Sequence, residues 1–105
     1  MPDAISLGPD DNGRTVSVAK GQLVVLQLPE NPTTGYRWVA AAHSSFELVS
    51  TTYTLGGSGI GAGGVRRFEW LATAPGRHEL LLLHRQEWEP PGKEIGRFQI
   101  TVTVQ

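Results

Sequence analysis

Side chains able to do covalent or acid–base chemistry are few and scattered in this chain. It has no cysteine, which removes thiol catalysis, zinc ribbons, iron–sulfur clusters and disulfide scaffolds together. Its three histidines, His43, His78 and His84, belong to no H-E-x-x-H pattern, and no G-x-S-x-G marks a serine nucleophile. His78 and His84 share a face of one strand but, at ~3.3 Å per residue, lie about 20 Å apart, too far to hold one metal ion. Asp10 and Asp11 fall in a short turn near the start, where solvation is the ordinary reading. The expectation is a protein that is not an enzyme and uses no metal or cofactor.

Three other segments carry the unusual chemistry. In 29–35 the chain reads Pro-Glu-Asn-Pro-Thr-Thr-Gly and continues Tyr36-Arg37-Trp38. Pro32 fixes its own φ and holds Asn31 extended, Asn31 is suited to cap a turn, and Gly35 permits positive φ. The segment is therefore stiff though irregular, with two small hydroxyls, Thr33 and Thr34, at its tip. Segment 56–64 holds six of the thirteen glycines. Within it Gly59, Gly61 and Gly64 satisfy G-x-G-x-x-G, but the residues that follow resume a strand alternation where a dinucleotide site needs a helix N-terminus. The stretch reads instead as backbone open to close approach. In 85–94, Trp88 stands between Glu87 and Glu89 just before the Pro90-Pro91 pair, so an exposed aromatic anchor on a rigid loop is expected. We refer to these as the Asn-Pro, glycine and tryptophan loops.

The elements that must position them read as strands. In 97–104, Phe98, Ile100, Val102 and Val104 alternate with Gln99, Thr101 and Thr103, the pattern of a half-buried strand. Similar stretches are 15–18, 23–28, 36–40, 46–55, 65–72 and 79–84, the last with four consecutive leucines that suggest burial on both sides. For Tyr36 and Trp38, which share a strand face, core packing is expected. No apolar pattern at helical spacing persists. The class is all-β, an immunoglobulin-like sandwich of about seven antiparallel strands, with a small closed barrel as the alternative. Because chain direction reverses at each short connection, the three unusual loops fall at one pole, and the plain turns near Lys20-Gly21, 41–45 and 74–76 fall at the other.

Length and charge bound the rest. A chain of 105 residues reads as a single domain, 1–105, with a core large enough to need no disulfide. Nine basic against ten acidic residues give a formal net charge of −1, which supplies no footprint for nucleic acid or an anionic membrane. The start lacks the basic and apolar regions of a signal peptide. As written the chain reads as cytoplasmic, or as exported if a leader has been removed, and as a monomer.

Asn31-Pro32-Thr33-Thr34-Gly35-Tyr36 with Trp38, then Gly61-Ala62-Gly63-Gly64, then Trp88 after the leucine-rich strand, resemble in this order the chagasin family of cysteine peptidase inhibitors, over roughly 14–104. The resemblance implies a reversible, non-covalent inhibitor of papain-like cysteine peptidases with an immunoglobulin-like fold. It implies that Asn31, Pro32, Thr33, Thr34 and Gly35 enter the active-site cleft while Gly61, Ala62, Gly63 and Gly64 meet one wall and Trp88 the other, with Arg85 as a further peptidase contact. The family's third motif is Arg-Pro-Trp, and here the chain reads Arg85-Gln86-Glu87-Trp88. Aligned on the tryptophan, Gln86 and Glu87 replace the arginine and proline; aligned on Arg85, one extra residue precedes Trp88. The competing reading is an adhesion or carbohydrate-binding module using the same loops, which calls for further exposed aromatics beside Trp88.

Overall fold

A computed structural model describes residues 4–31, 35–41, 44–55, 63–86, 88 and 92–105. Eight strands, β1 (Ile5–Leu7), β2 (Thr15–Val18), β3 (Leu23–Glu30), β4 (Tyr36–Ala40), β5 (Phe46–Leu55), β6 (Gly64–Ala72), β7 (Gly76–Gln86) and β8 (Gly96–Val104), form two four-stranded sheets. Their orders are β1-β3-β6-β5 and β2-β8-β7-β4. The inward side chains alternate as the pleat requires. Val24, Leu26 and Leu28 of β3 and Phe68, Trp70 and Ala72 of β6 meet Leu80 and Leu82 of β7 and Phe98, Ile100, Val102 and Val104 of β8 in one buried cluster. Phe68 and Trp70 stack within it at 5.3 Å.

The all-β sandwich expected from the alternation is thus present, with instructive differences in detail. β1 adds an eighth strand, three residues long and too short to show a period. It runs parallel to β3, and β2 runs parallel to β8, so both sheets are mixed. The chain changes sheet between β1 and β2 through a 3-10 turn at Pro9–Asp11, where the Gly8 amide donates to Asp11 Oδ2 at 2.8 Å. That sheet change gives the parallel edges. Among the four leucines, Leu80 and Leu82 enter the core but Leu81 and Leu83 are only half-buried; the strand alternates and is not covered on both sides.

β3 also runs two residues further than expected, through Pro29 to Glu30. Pairing with β1 ends at Leu7–Leu26, so beyond it β3 is bordered only by β6, and a proline without an N–H is tolerated on a strand with a free edge. Those two added residues carry the base of the Asn-Pro loop. Among the described residues no helix is long and apolar enough to cross a membrane.

Candidate functional site

At the pole of the three loops, the apolar core gives way to a polar layer built on the same inward positions. After Val24, Leu26 and Leu28, the next inward residue of β3 is Glu30, which is 3% exposed. Two residues before Phe68 on β6 comes Arg66, whose Nη2 lies 2.9 Å and Nε 3.0 Å from Glu30 Oε2. The other carboxylate oxygen, Oε1, accepts the backbone N–H of Trp38 at 2.8 Å. β4 is an edge strand, and Glu30 satisfies an amide there from the opposite sheet. The Trp38 indole returns the link by donating Nε1–H to the Pro29 carbonyl at 2.9 Å. Its ring stacks on His84 of β7 at 4.6 Å, and Tyr36 meets the same imidazole edge-on at 6.0 Å.

The loops meet above this layer. Gly35 has φ +79, and a methyl group on it would stand 2.6 Å from Trp88 Cη2 and 3.3 Å from Cζ2. The indole of the tryptophan loop therefore rests on the bare Cα that ends the Asn-Pro loop, with the Gln86 amide beside it, while Trp88 as a whole stays 71% exposed. The glycine loop closes from the other side. Gly63 lies against the Glu30 carbonyl and Asn31. Gly64, paired with Glu30 on one strand and Leu55 on the other, is crossed by the Tyr53 ring and the Thr54 carbonyl. A cleft of about 350 Å³ opens between the Asn-Pro and glycine loops, with Asn31, Trp38, Gly63 and His84 among its walls.

Of the residues singled out by sequence, Asn31, Gly35, Gly63, Gly64 and Trp88 are gathered at this pole; Pro32, Thr33, Thr34, Gly61 and Ala62 lie outside the described residues. Arg85 is not brought to Trp88. It pairs across the ladder with Arg37, on the strand face opposite that of His84 and Gln86. The position beside Gly35 is held by Gln86. Tyr36 and Trp38, assigned to core packing, are half-buried and form the transition between core and loops. Sequence reading assigns no role here to Glu30 or Arg66, weighs His84 only as a metal ligand, and offers Gln86 only as the replacement for the arginine of the third motif. For the first two a signal existed: each continues an inward-facing period of two with a charge, a pattern that demands a buried partner.

Among the described residues no group of three or more His, Asp or Glu side chains is placed to hold a metal ion. Of the described aromatics only Trp88 is exposed, so the multi-aromatic surface that would favour sugar binding is not formed by them.

Comparison with known proteins gives consistent likenesses. A family model described as chagasin family peptidase inhibitor I42 matches residues 17–102. Chagasin of Trypanosoma cruzi is 33% identical over 96 residues, covering 85% of this chain and 87% of its own. Amoebiasin-1 of Entamoeba histolytica is 31% identical over 105 residues, covering 96% and 100%. In three dimensions, the cysteine protease inhibitor EhICP2 of Entamoeba histolytica superposes with a TM-score of 0.86 at 19% identity, over 98% of this chain and 96% of that one; at that identity the likeness speaks for the fold.

Proposed function

The chain belongs to the chagasin family of peptidase inhibitors, and from that premise we propose that it blocks papain-like cysteine peptidases by seating its three-loop pole in the active-site cleft. It is an inhibitor and not an enzyme, and the family, together with the sparse nucleophiles of the chain, is the ground for that. The whole of 1–105 acts as one inhibitory unit in this reading. Asn31, Pro32, Thr33, Thr34 and Gly35 form the wedge, with the two threonines and Gly35 lying against the catalytic cysteine without offering a peptide bond in attack geometry. Gly61, Ala62, Gly63 and Gly64 face one wall of the cleft. Trp88 packs on the other wall. Arg85 is the least central of the assigned contacts, since it points to the outer face of its sheet.

The observation that carries this reading is the seat of Trp88 on Gly35. An aromatic ring that is largely exposed yet braced from beneath loses little freedom on binding, and preorganisation of this kind lets an interface of ~1,600 Å² bind tightly. The small residues Thr33 and Thr34 suit the same reading, because a bulky side chain would collide with a narrow catalytic slot.

The test is titration of active-site-calibrated papain with the purified protein. A reversible, stoichiometric loss of activity is expected, with the inhibitor recovered uncleaved. Full peptidase activity at ~10 μM inhibitor, a concentration at which even a Kd of ~1 μM gives about 90% occupancy, refutes the proposal.

A further inference from the structure

We infer that Glu30 is a positioning residue for inhibition: its buried carboxylate sets the strand ends that carry the Asn-Pro and glycine loops in fixed relation before the peptidase arrives. The inference rests on the inhibitory reading above and names what holds that site in shape. Glu30 is the last residue of β3 before Asn31. Trp38, whose amide it accepts, lies where the chain has returned from the Asn-Pro loop, and Arg66 lies where it has returned from the glycine loop. One carboxylate therefore ties three of the four strand ends from which two loops spring. Its side chain is 0% exposed and that of Arg66 is 18% exposed.

A role in stability alone does not account for this arrangement. Buried ion pairs contribute little net stability, and well-packed apolar replacements are often as stable. What an apolar residue could not do is accept the Trp38 amide and fix the guanidinium at the same time. Charge-assisted hydrogen bonds demand short distances and defined directions, and a buried carboxylate that leaves its donors is heavily penalised. The ion pair thus narrows the allowed relation between β3, β4 and β6. The backbone above it follows: the Glu30 carbonyl is the atom under Gly63, and the Pro29 carbonyl holds the Trp38 indole.

The consequence is kinetic. If loosening the clamp leaves the competent loop arrangement populated for a fraction of the time, apparent affinity falls by that fraction. The loss appears in association, because the final complex is unchanged, whereas loss of a direct contact appears mainly in dissociation.

The experiment measures association and dissociation rates with papain for the full chain and for Glu30→Ala, Glu30→Gln and Val102→Ala. Val102 is fully buried in β8, away from the pole, and serves as the control for lost stability. Expected for Glu30→Ala is an association rate about tenfold lower with dissociation within about twofold. Glu30→Gln keeps an oxygen for the Trp38 amide and should fall between it and the unmodified protein. Val102→Ala should lower the melting temperature and leave both rates of the folded protein alone. An unchanged association rate in Glu30→Ala, or a loss confined to dissociation, overturns the inference. Should Glu30→Ala fail to fold, an unchanged association rate in Glu30→Gln does so. If the unmodified protein does not bind papain, the inhibitory reading has failed, and the clamp is judged by amide exchange. Exchange at Asn31, Gly35 and Gly63 should then be about tenfold faster in Glu30→Ala than in Val102→Ala, and equal rates overturn it.

Discussion

Gly35 and Trp88 form the contact on which the proposed surface depends, and each explains the other. A residue with φ +79 is strained with any ordinary side chain, but the stronger constraint is the indole lying where a methyl group would go. Gly35→Ala is expected to lower stability by ~1–3 kcal/mol and to weaken inhibition by displacing the ring. Trp88→Ala should behave differently: the ring is 71% exposed, so the melting temperature should move little, while inhibition weakens by about thirtyfold or more, as for a truncated interface anchor. A double-mutant cycle on thermal stability reads the contact directly. Combining the two substitutions should recover ~0.5–1.5 kcal/mol of the single costs, because alanine at 35 no longer meets an indole. Strict additivity would show that the two residues do not touch in solution. If Trp88→Ala unfolds the protein, the ring is a cap on the sandwich and its role as an exposed anchor is lost.

The strands decide what the glycines mean, and for Gly64 they add a reason of their own. The glycine loop reads as backbone kept bare for a partner, yet Gly64 belongs to β6, at the centre of a three-strand ladder with Glu30 and Leu55. Its missing side chain is accounted for by Tyr53 and Thr54 of β5, which occupy the space of a Cβ. Gly64→Ala should therefore force β5 and β6 apart, lowering stability by ~3 kcal/mol and the melting temperature by more than ~10 °C. Lost inhibition at an unchanged melting temperature would show that the missing side chain of Gly64 serves the interface alone and not the packing of β5 on β6. The same register explains what was legible. Alternation in β8 and the leucines of β7 disclosed the sheets, and the parity of chain reversals put three loops at one pole. Those features depend on local period and direction, which a single sequence carries. The Glu30–Arg66 pair, the Gly35–Trp88 seat and the place of Gln86 beside Gly35 join residues distant along the chain, brought together by strand pairing within each sheet, and only the stacking of the two sheets brings Glu30 to the Trp38 amide. β1 was hidden for another reason, since three residues cannot display a period of two.

For the molecule as a whole, stability and recognition are drawn from different ends of one sandwich. The chain has no disulfide to brace it, so its apolar cluster holds the fold while the polar layer of Glu30, Arg66, Trp38 and His84 joins the strand ends beneath the loops. The charge balance suits this division. With nine basic and ten acidic residues, the protein projects no strong field of one sign, and the sequence of the tryptophan loop itself mixes Arg85 and Lys93 with Glu87, Glu89 and Glu94. Steering energy scales with the product of the partners' charges, so a net charge of −1 leaves association to shape and random encounter even against a strongly charged peptidase. Raising salt from about 0.1 M to about 1 M shortens the screening length from about 10 Å to about 3 Å. Across that range the association rate with papain is expected to change by less than about threefold, in the range of unsteered protein pairs at ~10⁵–10⁶ M⁻¹s⁻¹. A fall of tenfold or more would mean that the charged residues of the tryptophan loop act as a directed patch, and that recognition begins at a distance and not with the fit of the three-loop pole.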